Sequence, residues 1–464
     1  MTRHFIIACL ALFVYSQSSA HEVIIKNGNQ LSINAKEVAL QDLLSSFQEW
    51  GILVKIDPHI NPKISVSFSD RDIQKGLDLI LKSLNHIYLW QALDGPWGKQ
   101  PILKEIHVFF SGKKHLMRPL QNSLANIAQD PKTKNRYIKN ELLVRLARDI
   151  DAHRFLDFLS QVNGTIIDSH PGLSIYQIRF PPSVDALKYL KKFQKNQYVS
   201  EVEPNFVYRR PKMIQSSFSR QLPQNIFNPN RNPQSTRSIA ILDTGLLLNE
   251  YISPYVISSY DSVQSSDNIA DTSGHGTNMA NIACGNVMPA GGDGSEARYI
   301  VPIRLFEDSG VVSNFTIMKS INYAIEKGAK VISMSWGSDT YSHFLDNALT
   351  HAESLGMIPL AAAGNEPTGK LYYPAAYESV IGIGATTPDG TRWKRSNYGN
   401  FVDIFAPGFA NVPSKYSQWP GQYVGTSIST AFVANRLAGE VTEKTMVKDL
   451  RQNGILFDQA GDMK

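Results

Sequence analysis

Five apolar runs dominate the C-terminal half of this chain: residues 238–242, 299–306, 330–335, 357–363 and 380–384. Between the later ones lie stretches with apolar residues at helical spacing, at about 317–327 and 344–355. A half-exposed strand alternates apolar and polar residues, whereas one covered on both faces reads as a continuous apolar run. The pattern predicts an α/β fold, with a parallel sheet sandwiched between helices. Such sheets present functional groups at the carboxyl ends of their strands. The first run ends there in Asp243-Thr244-Gly245.

At 464 residues the chain has room for about three domains, each with its own core. Charged residues make up 19% and apolar ones 42%, as in ordinary soluble proteins. The net charge of +5 is spread along the chain rather than gathered in an arm, so no nucleic-acid partner is expected. Residues 1–4 are basic, 5–15 are apolar, and 16–20 end in small residues at Ser18 and Ala20. That is the layout of a secretory signal peptide cleaved after Ala20, the rival reading being an uncleaved anchor. Of the two cysteines Cys9 falls in that segment, leaving Cys284 with no partner for a disulfide and the pattern of a small buried hydrophobe.

Residues 21–112 alternate strand and helix patterns. Val23 to Ile25 reads as a strand, Val38, Leu40, Leu43, Leu44 and Phe47 as a helix, and two further strands precede a helix from Ile73 to Leu84. Strand-like stretches at 87–93 and 105–110 close a small α/β module. A polar linker is expected at 130–136. Residues 139–210 then read as strand, helix, strand, strand, helix, strand, a ferredoxin-like order. Residues 211–236, rich in Ser, Gln, Asn and Pro, read as an exposed connector that tolerates cleavage. The third domain is expected at 237–455.

Near its end Gly425-Thr426-Ser427 delivers a serine onto the start of a helix, among unpaired backbone N–H groups. Most such serines only cap. A second reading is a nucleophile whose attack develops negative charge at a site suited to hold it. That reading needs a base to take the hydroxyl proton, for which His275 in Gly274-His275-Gly276-Thr277 is the candidate. Asp243 would orient the imidazole, and Asn365 in Ala362-Ala363-Gly364-Asn365 would donate its amide to an oxyanion.

These four motifs, in the order Asp, His, Ser, resemble the subtilisin-like serine proteases of family S8, and Tyr373-Pro374-Ala375 and Ala406-Pro407-Gly408 support the match. The resemblance implies a three-layer parallel-sheet catalytic domain and peptide hydrolysis through an acyl-enzyme. It also implies substrate contacts from Ser335, Trp336 and Gly337 on a backbone-pairing strand. Ala362 and Gly364 would form a wall of the P1 pocket, with Tyr372 near its floor. Trp336 would narrow a more distant subsite. No cofactor is required; calcium is common in the family, and no loop here commits its carboxylates to a metal. Departures fall after His275 (Asn278, Asn281), after Ser427 (Ile428, Ser429, Ala431) and at Ser333.

Residues 139–210, with Glu141 to Arg145 and the phrase Val202-Glu203-Pro204-Asn205-Phe206-Val207-Tyr208-Arg209, resemble the I9-type inhibitor propeptide of the same proteases. That implies a prodomain whose extended tail lies in the substrate cleft, with self-cleavage near 207–212. The phrases at 31–35, 39–44 and 64–68 resemble the short N-terminal domain of secretins and TonB-dependent receptors. They imply an envelope protein partner and a periplasmic, outer-membrane or extracellular location in a Gram-negative cell. The expected protein is a secreted serine endopeptidase made as a zymogen; the alternative is an envelope binding or signalling protein with a degenerate, inactive protease domain.

Overall fold

The computed structural model describes residues 21–440 apart from 27, 121–125, 149–150, 217–232 and 234–236. The expected signal peptide, most of the connector and the stretch 441–455 lie outside the described residues. Contacts divide the chain into two compact units.

The first unit comprises Met1–Ala125, Asp149–Ser169 and Ile178–Ser183. It holds a three-stranded sheet of His21–Lys26, Gln30–Ala39 and Lys63–Asp72, and a four-stranded one whose long hairpin is Asn85–Gly95 with Gly98–Phe109. Helix Leu40–Gln48 buries Leu40, Leu43, Leu44 and Phe47, the 3–4 spacing of a one-faced helix. Val38, expected on that helix, lies instead on the strand Gln30–Ala39, paired with Ile64. Its spacing from Leu40 fits a period of two as well as a helical turn, and a β-branched residue suits the sheet. The segment 98–104 went unread as strand because it is polar and carries Pro101, yet it pairs with residues 90–95.

The second unit comprises Asn126–Arg148, His170–Gln177 and Val184–Lys464. Its centre is a seven-stranded parallel sheet. In spatial order the strands are Tyr260–Asp261, Tyr299–Arg304, Ser238–Asp243, Val331–Met334, Ile358–Ala362, Ile381–Thr386 and Ile404–Pro407. Every residue of Ser238–Asp243, Val331–Met334, Ile358–Ala362 and Ile381–Thr386 is buried, as the unbroken apolar runs require. Helices His275–Ala283 and Thr426–Glu440 pack with one core cluster, Asn314–Glu326 and His343–Ser354 with another. Helix His275–Ala283 is buried at all nine positions, so its sequence shows no polar face.

The stretch 130–136, expected as a linker, is the turn of a hairpin between Ile127–Gln129 and Arg136–Leu146. Asp130 Oδ1 accepts from the Lys132 and Thr133 amides at 2.7 and 3.1 Å, which closes the turn.

Strand Val199–Arg209 runs antiparallel to Arg136–Leu146 and then pairs, through Val207–Arg209, with Val311–Ser313. Two of its polar side chains meet helix starts. Asn205 Oδ1 accepts from Phe315 N at 3.1 Å while its amide donates to Glu141 at 2.6 Å. Glu203 accepts from Asn314 Nδ2 at 2.9 Å, from His343 N at 3.1 Å and from the Ser342 hydroxyl. The strand thereby satisfies orphan donors at the N-termini of Asn314–Glu326 and His343–Ser354.

Candidate active site

Three neighbouring strands of the parallel sheet end at the site. Asp243 is the last residue of Ser238–Asp243, Ser335 follows Val331–Met334, and Asn365 follows Ile358–Ala362 by three residues. His275 and Ser427 lie in the first turns of the two buried helices. The convergence follows from topology: parallel strands all point their carboxyl ends to one edge, and the helices returning over the sheet expose N–H groups near it.

Asp243 and His275 are 1% and 3% exposed, and His275 Nδ1 lies 2.8 Å from Asp243 Oδ1. That oxygen also accepts from Thr244 N at 2.7 Å, whereas Oδ2 is buried without a partner. A carboxylate on Nδ1 fixes the tautomer and orientation of the imidazole and leaves Nε2 as the nitrogen able to take a proton. His275, Asn365, Gly425 and Ser427 line one pocket. Ser427 Oγ donates to Ser335 O at 3.4 Å, and no hydrogen bond joins it to His275 among the described residues. Contacts of this type often tighten only with substrate in place.

Asn365 Oδ1 accepts from both the amide and the hydroxyl of Thr426, at 2.9 and 3.0 Å. With its oxygen tied down, the side chain turns Nδ2 outward as a donor beside Gly425, where a Cβ would come within 3.4 Å of it.

The loop before His275 is held by a residue that motif reading passed over. Asp271 Oδ1 accepts from Thr244 Oγ1, Ser273 N and Gly274 N at 3.0, 3.0 and 2.8 Å. Its Oδ2 accepts from the amide and hydroxyl of Thr277 at 2.9 and 2.8 Å. Thr244 adjoins Asp243 and Thr277 follows His275 by two, so one carboxylate ties the Asp243 strand to the His275 helix. The two backbones also touch: a Cβ on Gly276 would meet Gly245 O at 2.3 Å, so glycine is required. The signal for Asp271 was an acidic residue four before a histidine that opens a helix, too common a pattern to single out.

Of the departures after His275, Asn281 is satisfied, whereas Asn278 keeps its Oδ1 buried without a partner. Asn281, fully buried, donates to Thr277 O and Tyr416 O at 2.9 and 3.0 Å and accepts from Asn286 at 3.0 Å. A buried amide with its groups satisfied takes the place of a small residue without strain on the helix. Asn278 faces the site and donates to Met213 Sδ at 3.2 Å. After Ser427, Ile428 is buried in the core and Ser429 and Thr430 bond to Ala406 O and Thr426 O. Ser333 is buried with its hydroxyl unpartnered, and nothing in the structure explains it.

Of the expected substrate-contact residues, Ser335 touches the serine through its carbonyl, and Tyr372, Gly337 and Gly364 lie against one another. The Tyr372 ring lies over Gly337 and Gly364, and its hydroxyl donates to Gly337 O at 2.7 Å. The hydroxyl is pushed up to about 12, first by burial and then by Glu366 and Asp339. Ala362 is buried at the end of its strand. The Trp336 side chain, expected to narrow a distant subsite, is 2% exposed; its indole donates to Leu242 O at 2.9 Å and its ring sits 5.4 Å from that of Tyr208. Among the described residues no group of three or more His, Cys, Asp or Glu side chains could hold a metal ion.

Residues 234–446 match the family model described as the subtilase family, and 123–205 match the fervidolysin N-terminal prodomain. A thermophilic serine proteinase from Bacillus sp. (strain AK1) is 29% identical over 66% of this chain and 78% of its own. Thermitase from Thermoactinomyces vulgaris is 33% identical over 43% of this chain and 73% of its own, and Subtilisin Savinase from Lederbergia lenta 34% over 43% and 74%. Among solved structures fervidolysin from Fervidobacterium pennivorans, a keratinolytic enzyme related to subtilisin, shares the fold at a TM-score of 0.52. It is 21% identical, over 65% of this chain and 54% of that one. Fold and matches together define a serine endopeptidase with a prodomain. The chain belongs to the subtilase family.

Proposed function

We propose that Ser427 is the nucleophile of this protease, with His275 as its general base, Asp243 orienting the imidazole, and Asn365 and the Ser427 amide receiving the oxyanion. Ser427 gives its proton to His275 as Oγ attacks the peptide carbonyl. The imidazolium, held by Asp243, returns the proton to the leaving amine, and water repeats the sequence to release the acid. The observation that carries the reading is the buried 2.8 Å contact of Asp243 with His275, which lines one pocket with Ser427 and Asn365. A fluorophosphonate probe is expected to label Ser427 and no other serine. Absence of labelling in processed protein would favour the degenerate, inactive reading instead.

The first substrate is the chain itself. Arg210 N donates to Gly310 O at 2.9 Å, extending the Val207–Arg209 pairing by one residue toward Lys212. On the far side Ile214 and Gln215 pair with Val424 and Tyr423, and Ser216 N donates to Gln422 O at 2.9 Å. Lys212, Met213 and Ile214 line the pocket that holds His275 and Ser427. Strand addition on both sides presents the intervening peptide to the serine, and Lys212–Met213 is the bond proposed to be cut. Ser335, Gly337, Ala362, Gly364 and Tyr372 would form the unprimed subsites. Trp336, whose ring faces Tyr208 of the chain's own strand, would line a subsite farther from the scissile bond.

Glu203 makes prodomain retention depend on pH. Burial raises its carboxyl to about 7, outweighing the hydrogen bonds from Ser342, His343 N and Phe344 N. A released strand returns to the ordinary range, so the linked stability is fully present below about pH 4.5 and is lost as the pH rises through 7. After processing, with the serine blocked by fluorophosphonate, the cleaved prodomain should bind about tenfold or more tightly at pH 5 than at pH 8. Glu203→Gln should flatten that dependence; an unchanged slope in the variant would remove Glu203 as its source.

No calcium site is assigned among the described residues, and catalysis is read as cofactor-independent. Export is supported by the N-terminal pattern and by relatives such as the minor extracellular protease Epr of Bacillus subtilis. No helix among the described residues is long and apolar enough to cross a membrane. A Gram-negative envelope location, and docking of an envelope protein by the domain at 21–112, rest on the hydrophobic phrases quoted for it.

A further inference from the structure

The segment just past the proposed scissile bond lies in a groove of uneven chemistry. Ile214, Gln215 and Ser216 line it together with Trp393, Arg392, Lys394 and Arg395. With Met213 as P1′, these chain residues are P2′, P3′ and P4′. Ile214 packs against a buried cluster that includes Trp393, Phe409 and Val424, so P2′ meets an apolar floor.

Beyond that floor the wall is cationic. The Arg392 guanidinium lies 4.8 Å from the Tyr398 ring centre, and that of Arg395 5.7 Å from that of Trp393. Stacking holds both planes while leaving edge N–H groups unspent. Arg392 Nη1 is buried with no hydrogen-bond partner, an arrangement that costs free energy until an acceptor arrives. None of Arg392, Lys394 and Arg395 joins an ion pair among the described residues. The one acid in the same turn, Asp389, is taken up by the hydroxyls of Thr387 and Thr391 and by Thr391 N, and those bonds hold its carboxyl below the usual range. Three cations against one engaged carboxylate leave the groove positive.

We infer that this groove is a primed-side subsite for acidic peptide segments, selecting an apolar residue at P2′ and Asp or Glu at P3′ and P4′. The inference rests on the proposed protease reading and on Lys212–Met213 as the junction. The chain's own residues there, Gln215 and Ser216, are neutral, so its own junction makes no ion pair and yields the groove to an acidic competitor.

Three quenched-fluorescence peptides with one Pro-Lys-Met-Ile core test this on processed protein, carrying Asp-Glu, Gln-Ser or Lys-Lys at P3′–P4′. At about 20 mM salt the acidic peptide should exceed the basic one about five- to tenfold in kcat/KM, mainly through KM; about 0.5 M salt should bring the ratio below about two. Lys394→Glu combined with Arg395→Glu should invert the preference between the acidic and the basic peptide. Equal rates at low salt, or an acidic preference that survives the charge reversal, overturn the subsite alone. Failure to cut the neutral peptide overturns the protease reading and the subsite with it.

Discussion

Ser427→Ala is expected to lower kcat for peptide hydrolysis by about six orders of magnitude, the size of loss that removing the serine produces in subtilisin itself. The side chain is 7% exposed and its oxygen makes a single 3.4 Å hydrogen bond, to Ser335 O. Alanine keeps the helix start, the core packing of Ile428 and the Thr426 contacts to Asn365, so stability should change by no more than about 1 kcal/mol. Activity and folding therefore separate cleanly: the melting temperature stays and the rate goes. The residual rate should still exceed that of water by about 10³- to 10⁴-fold, because the oxyanion donors and the paired strands remain. Purified Ser427→Ala should also persist as one uncut chain, whereas wild type yields a new N-terminus at Met213. Cutting of the purified variant at the same bond would show that another protease makes the break.

Asn365→Ala is expected to lower kcat by about 10²- to 10³-fold with KM changed by less than about threefold, a magnitude taken from the corresponding amide in subtilisin rather than from the distances here. The geometry supplies the reason for the split between the two constants. Oδ1 is committed to Thr426, so Nδ2 is the only part of the amide free to meet a developing charge. A ground-state carbonyl gains little from that donor, and the tetrahedral oxyanion gains much. Loss of the acceptor for Thr426 N adds a stability cost of about 1 kcal/mol, readable as a lower melting temperature. A rise in KM with kcat intact would instead make Asn365 a substrate-binding residue.

The residues with most to do at the site were legible because each sits in a short motif whose neighbours explain it. Asp243 ends an apolar run, Gly276 must be small to pass Gly245, and Ser427 opens a helix. The parallel sheet was legible for a similar reason, since burial on both faces leaves an unbroken apolar signature. Other features depend on partners far away in sequence. Asp271 gathers donors from Thr244 and Thr277; Asn281 is satisfied by Tyr416; the Trp336 indole is tied to Leu242 O and its ring faces Tyr208. Val38 was misread because two apolar residues two apart fit either period.

From its sequence alone, then, this protein has its family, its fold class and the residue types its chemistry needs, because local pattern and burial constrain those directly. The tertiary structure decided which peptide lines the pocket of His275 and Ser427 and which cationic side chains lie beside its continuation. Those depend on strand pairing between residues some two hundred apart, Ile214 with Val424 and Gln215 with Tyr423. They depend equally on which buried donors, such as Arg392 Nη1, are left without an acceptor once the chain has packed. No local rule reports either, since both are set by what the rest of the fold brings alongside.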